Sequence, residues 1–267
     1  MSSTSRNTNP SIDHLGELWG TLDGLCSSLT DDDWTRPTGC PGWSVQDHLS
    51  HLNDYESRAL GRPAPDHLAP EGSHVKNELG RGNEIGVDYR RSWPPSRVLE
   101  EFRDVTAARL EQLRGMSDDD MKRDVVTPAG PGTVADMLTL RVMDTWSHEQ
   151  DIRRAVGRPG GDTGPAADEA VTYWSRFLPF VVGKRAGAPD GCSVLFAIGD
   201  HRFGIEVVDG RARPASTLPD APTVTVTMPA PTFAALVGGR ADPPDNIELA
   251  GDAALGRKIV DGLAFLP

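Results

Sequence analysis

The sequence has 267 residues, 37% of them hydrophobic and 25% charged, so it can form one large or two modest domains with a buried core. The formal net charge of −12 disfavours a nucleic-acid groove and docking on an anionic membrane surface. Three widely spaced cysteines with no CxxC pair exclude a disulfide framework and a cysteine-rich zinc site, and they favour a reducing cytoplasm.

The amino-terminal segment is polar and carries no apolar region typical of a secretory signal. We expect residues 1–9 to form a disordered tail. No stretch of about 18 apolar residues occurs, so a membrane-spanning helix is not expected.

The first half of the chain has the three-and-four spacing of amphipathic helices. A helix of about 18 residues is predicted from the apolar positions Ile12, Leu15, Leu18, Trp19, Leu22, Leu25, Cys26 and Leu29. A turn rich in proline and glycine, 37–43, precedes a second helix at about 44–60. Ser44 and Asp47 at its start resemble a capping box.

A proline-containing loop at 61–75 separates these helices from the next ones. Further helices are predicted at about 76–91, 95–114, 133–157 and 166–184, with Thr133 and Asp136 as a second capping box and the Gly130-Pro131-Gly132 break before it. The last of these helices is expected to dock back on the others. A helical domain is therefore predicted for residues 10–185.

The composition changes after about residue 190. The segments CSVLFAI, RFGIEVV and PTVTVTM are rich in β-branched residues and read as strands. A short helix at 230–237, a short strand at 247–249 and a helix at 255–263 complete a small domain, 190–267. The fold class predicted for the whole chain is α+β.

One helix carries a carboxylate and an imidazole four residues apart, Asp144 and His148, and these positions share a helix face. Both side chains can therefore point at one ion. His51 lies on the largely apolar face of another helix. Two histidines and one carboxylate form a three-ligand site for a divalent metal and leave coordination positions open.

The spacing of these residues alone leaves alternatives to a metal site formed by His51, Asp144 and His148. An acid and a histidine on one helix are more often an ordinary hydrogen-bonded pair. His48 competes with His51, because the two positions lie about 60° apart around the helix. Glu149 or Asp151 could replace Asp144, although each lies on a different face from the i, i+4 pair.

Long segments of the chain resemble the mycothiol-dependent maleylpyruvate isomerase family, a branch of the DinB-like metal-binding helical bundles. They are CPGWSVQDHLSHL (40–52), HVKNELGRGNEIGVDYRR (74–91), RVMDTWSHEQDIRRAVGRPGG (141–161), LPFVVGKRAGAPDG (178–191) and ELAGDAALGRKIVDGL (248–263). The resemblance is to actinobacterial members. It implies a DinB-like four-helix bundle followed by a small domain similar to a sterol-carrier fold.

The resemblance implies that His51, Asp144 and His148 are the metal triad. The founding isomerase has Glu where this chain has Asp144. Because Asp is one methylene shorter, the metal must sit closer to that helix, and transfer of the isomerase activity is weakened. Arg240 resembles a family arginine near the cleft between the domains that helps bind acidic substrate or thiol groups, and it is therefore expected to be both a catalytic and a substrate-binding residue. Asn83 is expected to line the same pocket.

The function that the resemblance implies is activation of mycothiol by a divalent metal, Zn²⁺, for S-transfer to a small electrophile or for its isomerisation. The alternatives are a non-haem iron oxygenase, since two histidines and a carboxylate also suit Fe(II), and a non-catalytic metal-binding or small-molecule-binding module. Neither the substrate nor the oligomeric state can be read from the sequence.

Overall fold

The computed structural model describes residues 8–240, 244 and 246–265. The chain divides into two compact units between Gly160 and Gly161. Most of the predicted disordered tail, residues 1–7, lies outside the described residues. No helix among the described residues is long and apolar enough to cross a membrane.

The first unit is built on long helices that bury apolar faces against one another. Its helices and strands are α1 (Pro10–Cys26), α2 (Asp31–Trp34), α3 (Val45–Ala59), α4 (Glu78–Arg90), α5 (Pro95–Arg114), α6 (Asp118–Met121), β1 (Asp124–Thr127), β2 (Gly130–Thr133) and α7 (Val134–Val156). The helix α3 packs against α4, α5 and α7, and α1 packs against α5 and α7.

The core of this unit consists of side chains that are fully buried. They include Leu22, Val45, Leu49, Leu52, Val98, Phe102, Val105, Leu113, Val142 and Ile152. Each contributes about 1.5–3 kcal/mol relative to an exposed side chain. The helical bundle that the apolar spacing predicts is confirmed.

Both predicted capping boxes are present. Asp47 accepts a hydrogen bond of 2.8 Å from the backbone of Ser44, and Asp136 does the same for Thr133. These caps fix the starts of α3 and α7. The break at 130–132, in contrast, is one strand of a β1–β2 hairpin that the sequence did not predict.

The second unit contains a mixed sheet with helices. Its elements are α8 (Pro165–Ser175), α9 (Leu178–Phe180), a π-helical turn (Val181–Arg185), β3 (Ser193–Ile198), β4 (His201–Val208), β5 (Arg211–Pro214), β6 (Val224–Met228), α10 (Ala230–Val237), β7 (Glu248–Gly251) and α11 (Ala253–Asp261). The described strands follow the order β5-β4-β3-β6-β7, and only the β3–β6 pair among them is parallel.

The sheet is buried at its centre. Alternate residues of the two central strands, Val194, Phe196, Ile198, Val224, Val226 and Met228, are at most 2% exposed. The helices α8 and α11 pack against β4 and β6, respectively. The predicted α+β class, with a helical amino-terminal part and a sheet-containing carboxy-terminal part, is confirmed.

The division between the units differs from the predicted boundary at residues 185–190. The segment 161–185 belongs to the second unit. The apolar side of α8 is buried within that unit, where the ring of Trp174 meets the ring of Phe233 edge-on at 6.0 Å. The glycine-rich segment before α8, in which Gly160 and Gly161 adopt positive φ, breaks the chain there.

Candidate metal centre

Two helices of the first unit bring three metal-ligating side chains together. His51 on α3 and Asp144 and His148 on α7 offer one ligand atom each, all within 4.8 Å of one another. His51 Nε2 lies 3.2 Å from Asp144 Oδ2, and His148 Nε2 lies 3.4 Å from Asp144 Oδ1. The packing of α3 against α7 therefore joins residues that are distant in sequence.

These two distances are close to the spacing between ligand atoms around a tetrahedral ion. Two ligands at about 2.0–2.1 Å from Zn²⁺ lie roughly 3.3 Å apart. The two histidine nitrogens of this cluster are at such distances from the Asp144 oxygens. Nitrogen and carboxylate donors in this number also match sites that keep a coordination position open. The residues present therefore fit a divalent metal ion.

A second group of possible ligands shares His148 and adds His48 and Asp151. However, His48 Nδ1 and His148 Nδ1 are only 2.7 Å apart, which is a hydrogen-bonding distance and too short for two ligands of one tetrahedral ion. The alternative of His48 in place of His51 is therefore not favoured by the geometry. Glu149 pairs with Arg153 at 2.7 Å instead of facing the histidines.

The cluster is open on the side of its carboxylate. The side chain of Asp144 is 31% exposed, whereas those of His51 and His148 are each 5% exposed. A small molecule can therefore approach along Asp144. Burial lowers the pKa of His51 despite the neighbouring Asp144, so its imidazole is available as a neutral ligand.

An arginine on α7 holds the carboxylate. Arg141 Nη1 donates to Asp144 Oδ2 at 2.7 Å, and Arg141 Nε donates to Glu56 Oε1 on α3 at 2.9 Å. Burial opposes ionisation of Asp144, but the adjacent His148, Arg141 and His51 hold its pKa well below the ordinary value. Asp144 is consequently a carboxylate at neutral pH.

An indole ring forms one wall of the cluster. The ring centroid of Trp43 lies 5.3 Å from that of His51, 5.5 Å from His48 and 5.8 Å from His148. Its Nε1 donates to Glu84 Oε2 on α4 at 3.0 Å. The tryptophan thus excludes water from one side of the histidines.

Glu84 is a buried junction behind this wall. Arg91 Nη1 lies 2.7 Å from Glu84 Oε1, and His74 Nε2 lies 3.1 Å from Glu84 Oε2. Burial acts to raise the pKa of Glu84, but hydrogen bonds from Trp43 and His74 and the charge of Arg91 hold it below the ordinary value. The carboxylate links the loop at 61–77 to the wall of the site.

The predicted substrate-binding residues lie in different units. Asn83 is half-buried on α4, next to Glu84. Arg240 is half-buried in the second unit, where it follows α10 and folds its guanidinium over Gly238. Their roles stay predictions.

None of the three free cysteines is placed like an activated nucleophile. Cys26 and Cys192 are buried, and burial together with Asp23 and Glu149 raises the pKa of Cys26 to about 12. Cys40 is half-buried in the turn before α3, where its backbone N–H donates to Thr38 Oγ1 at 3.1 Å. The burial of Cys26 and Cys192 and the raised pKa of Cys26 are consistent with a thiol that is supplied as a substrate.

Sequence reasoning did not identify Arg141, Glu56 or Glu84 as parts of the site. The i, i+3 spacing of Arg141 and Asp144 could have indicated that pair. Glu56 and Glu84 act through contacts with residues 85 and 41 positions away, and no local pattern indicates such contacts.

Comparison with known proteins agrees with this division of the chain. Residues 15–153 match the mycothiol maleylpyruvate isomerase N-terminal domain, and residues 168–257 match the C-terminal domain of the same family. Two proteins from two strains of Mycobacterium tuberculosis, both described as uncharacterized, are each 30% identical over 139 residues. That match covers 51% of this chain and 52% of each relative, so the chain spans about half the length of these curated relatives.

Two solved structures have a similar fold. One is the mycothiol-dependent maleylpyruvate isomerase, with a TM-score of 0.54 and 17% identity, and the other is a histidine-to-alanine mutant of it, with 0.55 and 15%. Each comparison covers 90% of this chain and 91% of the other chain. At this level of identity the likeness concerns the fold.

Proposed function

This chain belongs to the mycothiol maleylpyruvate isomerase family, and on that premise we propose that it is a metal-dependent enzyme that activates a low-molecular-weight thiol. The thiol is mycothiol. The reaction is S-transfer to a small electrophile, or isomerisation of one by thiol addition and elimination.

The observation that carries this proposal is the convergence of two buried imidazoles and one partly exposed carboxylate. Each imidazole nitrogen lies at a ligand-like distance from the Asp144 carboxylate, and the exposed side of that carboxylate leaves room for a fourth ligand. A bound divalent ion, Zn²⁺, supplies positive charge that lowers the pKa of a thiol at that position.

The chain's own residues orient and shield this centre. His51 and His148 would hold the metal through ring nitrogens, and Asp144 would hold it through a carboxylate oxygen. Arg141 keeps the Asp144 carboxylate in place, because it donates to one of its oxygens at 2.7 Å. Trp43 keeps water away from one side of the imidazoles.

Two further residues are proposed to bind the substrate or the thiol. Arg240 would pair with a carboxylate, because a guanidinium offers two parallel N–H donors to such a group. Asn83 would donate or accept a hydrogen bond from α4. The three free cysteines are compatible with function in the reducing cytoplasm.

The test is the metal content of the purified protein, measured by elemental analysis, in wild type and in the His51→Ala and His148→Ala variants. About one zinc ion per chain is expected in wild type, and both variants are expected to lose it. His67→Ala is the matched control, because His67 also pairs with an aspartate, Asp88, but lies outside the cluster. It should retain the metal.

Co²⁺-substituted protein then tests the thiol. Mycothiol should produce a sulfur-to-cobalt charge-transfer band, because the thiolate enters the open coordination position. Iron in place of zinc, with oxygen consumption, would favour an oxygenase. Tight metal binding with no spectral response to thiols would contradict the proposed reaction and favour a binding module.

A further inference from the structure

A line of hydrogen bonds leads away from the candidate ligands into the turn that precedes α3. His148 Nδ1 lies 2.7 Å from His48 Nδ1, and His48 Nε2 lies 2.8 Å from Thr38 Oγ1. Thr38 Oγ1 donates to the backbone oxygen of Trp43 at 3.0 Å and accepts from the backbone N–H of Cys40 at 3.1 Å. His48 is fully buried.

We propose that His48 and Thr38 are positioning residues that fix His148 as the tautomer with its proton on Nδ1. This inference rests on the proposed metal centre. It assigns a role to two residues that are not ligands themselves, and it explains why a second histidine lies buried one helical turn before His51.

The number of protons decides the direction of the hydrogen bonds. A neutral imidazole has one N–H and one lone pair. When the lone pair on His148 Nε2 faces the metal, the single proton of His148 is on Nδ1 and is donated to His48 Nδ1. The proton of His48 is then on Nε2 and is donated to Thr38 Oγ1.

The hydroxyl group of Thr38 can accept the hydrogen bond from His48 Nε2 in this direction of donation. It has one donor and two acceptor positions. It accepts from His48 Nε2–H and from the backbone of Cys40, and it donates to the Trp43 carbonyl oxygen. Every donor and acceptor in the line is satisfied.

The opposite direction does not suit a metal. In that arrangement Thr38 donates to His48, His48 donates to His148 Nδ1, and the proton of His148 is on Nε2. That nitrogen faces Asp144 at 3.4 Å, where a ligand atom needs its lone pair. Asp151 favours the first direction, because its Oδ2 lies 3.8 Å from His148 Nδ1 and its negative charge stabilises a proton there.

His51 has no comparable arrangement. Its Nδ1 is buried without a hydrogen-bond partner among residues 8–240, 244 and 246–265. Among the two histidine ligands, only His148 therefore has its second ring nitrogen held by the line of hydrogen bonds through His48 and Thr38. Outer hydrogen-bond partners of metal-ligating histidines fix the ring and its tautomer, and their loss typically weakens metal binding about 10–100-fold.

The test is competition with a chromophoric chelator for Zn²⁺. His48→Leu should weaken Zn²⁺ affinity about 10–100-fold. His48→Asn should stay close to wild type, because its Oδ1 replaces Nδ1 as the acceptor. Thr38→Val should weaken binding less than His48→Leu, and Thr38→Ser should restore it. Thr106→Val is the matched control, since its hydroxyl donates to the Phe102 carbonyl away from the cluster.

A spectroscopic measurement on wild type makes the test independent of whether the His48 variants fold. In a long-range ¹H–¹⁵N spectrum of the zinc-loaded protein, His148 should show a protonated Nδ1 and a metal-bound Nε2. Coordination of zinc through His148 Nδ1, or wild-type Zn²⁺ affinity in His48→Leu, would overturn the proposed role of His48 and Thr38 while leaving the metal centre intact. Failure of wild type to bind zinc would overturn both.

Discussion

At the scale of single residues, Glu84 shows how a carboxylate can tie several parts of the site together. Its two oxygens meet Trp43, His74 and Arg91, and its side chain is 4% exposed. These contacts favour the ionised form. Protonation of Glu84 at low pH would therefore weaken its contacts with Trp43, His74 and Arg91.

The depressed pKa of Glu84 predicts a pH-dependent contribution to stability. Because the folded pKa lies below the unfolded one, the contribution is present above the ordinary value near pH 4.3 and is lost as the pH falls through the folded pKa. Wild type should lose more stability than Glu84→Gln between about pH 5 and 3. Urea unfolding at several pH values measures the difference.

Glu78→Gln is the matched control for this prediction. Glu78 starts the same helix, but its side chain is 90% exposed. Its pH profile should follow that of wild type. An identical pH dependence of wild type and Glu84→Gln would show that the contacts of Glu84 do not favour its charge.

At the scale of the elements, the buried ion pairs between α3 and α7 hold the ligand-bearing helices in register. Arg141 on α7 contacts Glu56 on α3 and Asp144 on its own helix. Arg109 lies 3.4 Å from Glu56 and neutralises part of its charge. The two helices can move apart only if these charges lose their partners.

Replacement of Arg141 by methionine should lower the free energy of unfolding by about 3–5 kcal/mol, because the buried Glu56 and the partly exposed Asp144 would remain beside fewer positive charges. The presence of Arg109 favours the lower end of this range. Urea denaturation measures the loss. Arg103→Met, which breaks an exposed pair with Asp23, should cost about 1 kcal/mol or less. Equal losses in both variants would contradict the assigned role of the buried pair.

The local patterns of these elements could be predicted, whereas their long-range contacts could not. The capping boxes at Ser44 and Thr133 and the shared face of Asp144 and His148 depend on residues three or four positions apart. The choice between His48 and His51 depends on how α3 is rotated against α7. That rotation follows from packing over the whole unit and leaves no short pattern in the sequence.

At the scale of the whole molecule, the candidate ligands all belong to the first of two compact units. The segment between α7 and α8 is rich in glycine, and the sequence alone does not reveal with which unit the next helix packs. The sequence predicts one domain over residues 10–185, with the helix at 166–184 docked back on the bundle. The buried side chains of α8 meet the second unit instead.

This division predicts that a fragment of residues 1–160 folds and binds one metal ion. The fragment contains His51, Asp144 and His148 together with the core of the bundle. A fragment of residues 1–185 should be more prone to aggregation, because it exposes the apolar side of α8. Circular dichroism, size-exclusion chromatography and elemental analysis test both fragments. Metal in the full chain but not in a folded 1–160 fragment would indicate a ligand from the second unit.

The distance along the chain between the ligands has a consequence for folding. Asp144 and His148 are four residues apart, but His51 is 93 residues from Asp144. An unfolded chain can present the near pair, whereas the third ligand arrives only after a long loop has closed. An ion held by all three ligands would therefore bind the native state selectively. The melting temperature of the protein would then rise with the concentration of the ion, and a chelator would reverse that increase.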